Sequence, residues 1–169
     1  MSQKLDTLWY TRCPVPTGLG IALQQGWLEQ AFAEQGTSLS SLLESNDFAK
    51  RESHFSHTVQ NSVRHGGNIP AISAKARGRD TRVIGLSWAD ETQLILASPE
   101  SGITSVRDLK GRRFGLPNWK NVEIDFTRAQ ALRGLENALW LEGLEVSAVE
   151  IVDQDNDTHY RDGQAENVG

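Results

Sequence analysis

The sequence predicts an α/β architecture with largely parallel strand pairing. Two observations carry that prediction. Short runs rich in β-branched and aromatic residues, such as "TLWYT", "TRVIGLSW", "TQLILAS" and "SAVEIVDQ", have strand length. They alternate with longer stretches in which apolar residues recur at helical spacing.

The first strand covers Leu5 to Thr11 and ends in the turn imposed by Pro14 and Pro16. A helix follows, with Leu19, Leu23, Trp27, Leu28, Ala31 and Phe32 on one stripe, Thr17 as N-cap and Gly36 as stop signal. Leu39, Leu42 and Leu43 fit either a strand or one helical turn, and the polar remainder up to His57 reads as loop. "HTVQNSVRHGG" supplies a short element and a Gly-Gly turn. A helix then opens near Ile69 and Pro70 and ends by Gly78, with proline in its first turn and glycine past its end. Strands are expected over 81–88 and 92–98. After them come a turn around Val106 to Leu109, a strand over Arg113 to Leu116, and a helix whose stripe is Phe126, Leu132, Leu135, Ala138 and Leu139. "SAVEIVDQ" forms the last strand before a polar, patternless tail.

Composition bounds the function. The 169 residues are 38% hydrophobic and carry a net charge of −5, which argues against nucleic acid as the main partner, because phosphate binding wants a basic face. A single cysteine excludes an internal disulfide. The N-terminus has no apolar run of signal-peptide length, and nothing approaches the about 20 apolar residues of a membrane span. The expectation is a soluble, cytoplasmic chain without membrane insertion, in which a thiol stays reduced.

The lone Cys13 sits at the end of the first strand, before a helix start. The bland alternative is a buried structural thiol. Yet α/β sheets place ligands where a strand turns into a helix, and a helix start favours thiolate. Arg12 adds to this if it folds inward, although neighbours in a strand point to opposite faces. A nucleophilic cysteine needs an imidazole and a holder for the anion. His54, His57 and His65 lie in one window, and His159 lies in the tail; no thiol or carboxylate joins the three at ligand spacing, so metal is not expected. Arg64 offers a forked cation, and the N–H groups of Gly66 and Gly67 can face an anion just ahead of a helix. The alternative is a plain Gly-Gly turn beside a surface arginine. Together these groups fit a site for a small oxyanion.

The motifs "YTRCPVP" and H-x9-R-x-GG-x-IP resemble the 2'-hydroxybiphenyl-2-sulfinate desulfinase family, which is related to the sulfonate- and nitrate-type solute-binding proteins of ABC transporters. "DLKGRRFG" is similar to a signature of that wider fold. The resemblance implies a type II periplasmic-binding-protein-like fold, with 1–117 as first lobe and 118–169 as a partial second lobe, expected to be truncated, so that the missing part of that lobe is a candidate partner. It implies hydrolysis of an aryl sulfinate, with no cofactor. Cys13, His54 and Arg64 fall on the family's catalytic residues, and Gly67 on the glycine whose N–H serves the sulfinate oxygens. Trp9, Trp27, Trp88 and Trp119 are candidates for an apolar slot, or for core. The alternatives are a substrate-binding protein for a sulfonate or similar anion, and an inactive fragment of either.

Overall fold

The computed structural model describes residues 5–88, 90 and 92–158. The chain divides into two compact units, Met1–Ile84 and Gly85–Gly169. The lobe border expected between 117 and 118 belongs to the whole two-lobed fold and is not tested by this division.

In the first unit, strand β1 (Thr7–Arg12) is the centre of a three-stranded parallel sheet, flanked by β2 (Ser38–Ser41) and β3 (Ser62–His65). The chain leaves β1 towards one side and later returns on its other side. The carboxyl end of β1 therefore lies at a topological switch point, where such sheets form a crevice. Thr17 caps helix α1 (Gly18–Gln24), its Oγ1 accepting from the Gly20 N–H at 3.0 Å. The single helix expected here is broken. Gly26, at φ 71°, takes the left-handed conformation that ends one helix and starts α2 (Trp27–Ala33).

The Leu39 region is a strand, with Leu42 buried just beyond it. The expected loop before His57 is replaced in part by helix α3 (Phe48–Ser56). Its sequence, "FAKRESHFS", has no apolar stripe, so periodicity is silent there. Asp47 starts it, accepting from the Ala49 and Lys50 N–H groups at 2.9 and 3.4 Å. Helix α4 (Asn68–Ala76) opens directly behind the glycine pair, with Pro70 in its first turn.

The expected strands over 81–88 and 92–98 are not formed: among the described residues of that stretch none lies in a strand. Most of their large apolar side chains face outward, Trp88 at 84% and Leu96 at 88% exposure, while Ile95 is half-buried. A β-rich sequence forms a strand only where a ladder partner and a packed face exist, and no backbone ladder reaches these residues.

In the second unit, β4 (Arg113–Trp119) and β5 (Glu150–Asn156) pair in parallel, from Arg113 opposite Glu150 to Trp119 opposite Asn156. Helix α5 (Phe126–Leu141) crosses between them, its Asp125 cap accepting from the Arg128 N–H at 2.9 Å. The expected stripe buries Leu135 and Leu139 against Leu109 and Val149, with Ile95, Phe114 and Ile151 packed around them. Phe126, Leu132 and Ala138 are half-buried.

Candidate functional site

Alternation along a strand puts Thr11 and Cys13 on one face and Arg12 on the other. Cys13 continues the ladder of β1, its N–H donating to the His65 carbonyl at 3.0 Å. Arg12 does not fold in beside the thiol: its Nη1 donates to the Cys13 carbonyl at 3.4 Å, and its side chain runs towards Gly20 of α1.

His54 comes from the last turn of α3 and is 5% exposed. Its ring spans the inward face of β1. Nδ1 lies 2.7 Å from Thr11 Oγ1, and Nε2 lies 3.9 Å from Cys13 Sγ. Phe55 holds the ring edge-on, with centroids 4.4 Å apart. Arg64, opposite Thr11 on β3, ties the remaining pieces together. Its Nε donates to the His54 carbonyl at 2.8 Å, Nη1 to the Gly67 carbonyl at 2.8 Å and Nη2 to Cys13 Sγ at 3.6 Å. The guanidinium is thereby fixed by two carbonyls while one corner meets the sulfur.

The glycine pair is part of the geometry. A Cβ on Gly66 would stand 2.3 Å from Cys13 Sγ and 3.1 Å from Arg64 Nη2, so only glycine lets the chain pass this close to the thiol. A Cβ on Gly67 would meet open space. Gly67 is the N-cap of α4, whose first-turn N–H groups have no intrahelical acceptors.

The sequence-derived residues Cys13, His54, Arg64, Gly66 and Gly67 thus lie together at the carboxyl edge of the first sheet. The arrangement joins a free thiol to two groups able to donate to it, beside a glycine turn and a helix start. It can hold negative charge on sulfur or on a small oxyanion near it, and it can move a proton between Cys13 and His54.

The other histidines take separate places. His57, at φ 52°, ends α3 in the left-handed conformation. Its Nε2 is buried with no hydrogen-bond partner, and burial first, then the Arg64 charge, hold its pKa below the usual histidine range. His65 lies on β3 opposite Arg12. His159 falls outside the described residues. Among the described residues, no group of three or more His, Cys, Asp or Glu side chains stands ready to hold a metal ion. No helix among them is long and apolar enough to cross a membrane.

Of the tryptophans, Trp9 shares the inward face of β1, but its ring is covered by Lys50 Nζ at 4.6 Å from the centroid. Trp27 and Trp88 are exposed, and Trp119 lies on β4. The residue that motif reading missed is Thr11. Its place two residues before Cys13, on the same strand face, was the available signal.

The chain is 34% identical over 114 residues to the 2'-hydroxybiphenyl-2-sulfinate desulfinases of Rhodococcus erythropolis and Rhodococcus qingshengii. That match covers 66% of this chain and 29% of theirs. It is 30% identical over 99 residues to a putative aliphatic sulfonates-binding protein of Bacillus subtilis, covering 57% of this chain and 29% of the relative. Among solved structures, it matches a cysteine-to-serine variant of DszB in complex with biphenyl-2-sulfinic acid. The TM-score is 0.55 at 23% identity, over 89% of this chain and 47% of that one. The fold is therefore the periplasmic-binding-protein-like α/β fold, and the chain spans under half the length of these proteins. The family model described as NMT1/THI5 like matches residues 14–168, a stretch that holds His54, Arg64 and both glycines and starts one position after the thiol. This chain belongs to the NMT1/THI5-like family.

Proposed function

We propose that this chain carries the site of an aryl-sulfinate desulfinase. The reaction is hydrolysis: water and the sulfinate give the arene and sulfite, as the carbon–sulfur bond breaks, a carbon–hydrogen bond forms, and the hydroxyl of water ends on sulfur. The supporting observation is the contact of Cys13 Sγ with both His54 Nε2 and Arg64 Nη2. Pure binding of an anion requires no thiol with an imidazole partner. Arg64 and the Gly67 N–H bind the sulfinate oxygens. Cys13 acts on the substrate, by attack on sulfur or by delivering a proton to the ring carbon, and His54 sets its protonation and orientation.

The test is sulfite release from biphenyl-2-sulfinate. Cys13→Ser is expected to lower the rate by about a hundredfold or more, the scale of a lost acid–base or nucleophilic group. Unchanged release in that variant would overturn the reading.

The similarity to a sulfonates-binding protein supports a second reading, capture of a sulfonate without turnover. Calorimetric binding of an alkyl sulfonate that survives Cys13→Ser, with no sulfite formed from any sulfinate, would favour it. We assign the protein to the cytoplasm under the first reading; fractionation of cells that express it tests this.

A further inference from the structure

We propose that Thr11 is a positioning residue for His54, its hydroxyl keeping the Nε2 edge of the ring turned to Cys13 through every protonation state of the pair. The proposal deepens the desulfinase reading and rests on it for its catalytic meaning, but its geometry stands apart.

Thr11 is 1% exposed, and His54 Nδ1, at 2.7 Å, is the hydrogen-bond partner of its hydroxyl among the described residues. A hydroxyl both donates and accepts. When neutral His54 carries its proton on Nδ1, Oγ1 accepts it, and Nε2 is left as the base that faces the thiol. When the Cys13 proton moves to Nε2, Nδ1–H still donates to Oγ1, and the imidazolium keeps a partner in a buried place. When His54 instead carries its proton on Nε2, the hydroxyl rotates and donates to Nδ1. A carboxylate, as an acceptor only, would serve the two states with a proton on Nδ1 but not the one with the proton on Nε2 alone, and a valine would satisfy none of the three states.

Arg64 Nε donates to the His54 backbone carbonyl, and Phe55 makes an edge contact with the ring. Cys13 Sγ, from the end of β1, lies 3.9 Å from His54 Nε2, and Arg64 Nη2, from β3, meets the same sulfur at 3.6 Å. On α4, which packs against α3, Lys75 is turned away to the Thr81 carbonyl.

The experiment compares Thr11→Val, which keeps shape and loses the hydroxyl, with Thr11→Ser, which keeps the hydroxyl and loses a methyl. Two readouts are used: the rate of Cys13 alkylation by iodoacetamide at neutral pH, and the nitrogen-15 shifts of the His54 imidazole. Thr11→Val is expected to slow alkylation about tenfold, the scale of one lost hydrogen bond to a charged group, and to change the imidazole pattern. Thr11→Ser is expected to stay within about twofold of the unaltered chain. If Thr11→Val does not fold, Thr11→Ala takes its place with the same expectation.

Equal alkylation in the valine and unaltered chains, or an equal loss in the serine variant, overturns the proposal, because packing rather than the hydroxyl would then decide. Sulfite release is scored separately. If the unaltered chain releases none while the alkylation order holds, the desulfinase reading fails and the Thr11 assignment stands. If sulfite is released and Thr11→Val neither slows it nor slows alkylation, the Thr11 assignment fails alone.

Discussion

The two units of the chain are held by different chemistry. The second is an apolar core of the ordinary kind, in which Leu109, Leu135, Leu139 and Val149 are buried together. The first buries Leu42, Phe55 and Ala74, but also Thr11, Thr37, Ser53, His54 and Ser56; every buried polar residue recorded among the described residues is in this unit. Those side chains are satisfied. Thr37 donates to the Leu5 carbonyl at 2.6 Å, Ser53 accepts from the Val59 N–H at 2.9 Å, and Thr11 and His54 answer each other. Burying polar groups is unfavourable unless each finds a partner. A unit built this way gains less from hydrophobic burial, and in return holds reactive side chains in fixed positions.

The contrast can be broken from the apolar side first. Leu139 is fully buried, and Leu139→Ala is expected to destabilise the second unit by about 2–5 kcal/mol, the usual loss for emptying a core leucine site. A urea titration that follows the environment of Trp119 or Trp140 measures it. A loss well under about 1 kcal/mol would mean that this core is loosely packed.

A smaller effect is expected where the first unit is tightest. Gly66→Ala forces a methyl group against Cys13 Sγ and Arg64, so either the thiol or the turn must shift. The expected loss is about 1–3 kcal/mol, as for other overpacked sites, together with altered Cys13 alkylation. Gly67→Ala, whose methyl would meet open space, is expected to change much less. Equal effects at the two glycines would contradict the crowding seen at Gly66.

The smallest effect sharpens the electrostatic side. Burial and Arg64 lower the His57 pKa in the folded chain, so the unfolded chain binds this proton first as pH falls. The stability associated with neutral His57 is complete above the ordinary histidine value of about 6.5 and is lost as pH falls below it towards the lowered folded value. His57→Asn removes the titration and keeps a residue that tolerates the left-handed backbone at this position. Urea midpoints at neutral and mildly acidic pH should therefore differ less in the variant. An identical acid loss would assign it to other groups.

Much of the chain was readable before its structure. The prolines after β1, the Thr17 cap, the start of α4 at Ile69 and Pro70, the stripe of α5 and the strand after it were all local signals, and local signals are written in neighbouring residues. The motif spacing likewise marked Cys13, His54, Arg64 and the glycine pair as one group.

Other features were decided only in three dimensions. Helix α3 has no apolar stripe, because beside Phe55 its buried residues are Ser53, His54 and Ser56; Ser53 and His54 find partners in Val59 and Thr11, outside the helix, and Ser56 donates back to the Glu52 carbonyl. The break at Gly26 turns on one left-handed residue inside a continuous apolar pattern. The segments over 81–88 and 92–98 show the reverse: their pattern is strand-like, yet a strand is a relation between two segments, and the ladder that would make them strands is not formed. Thr11 belongs to the same class. By itself the sequence determined which residue types were present and which elements local pattern could start and stop. That a threonine hydroxyl meets the far side of the histidine facing Cys13 was decided by the parallel pairing of β1 with β3 and the return of α3 over the sheet, since hydrogen bonds between residues distant in the chain leave no periodic trace in it.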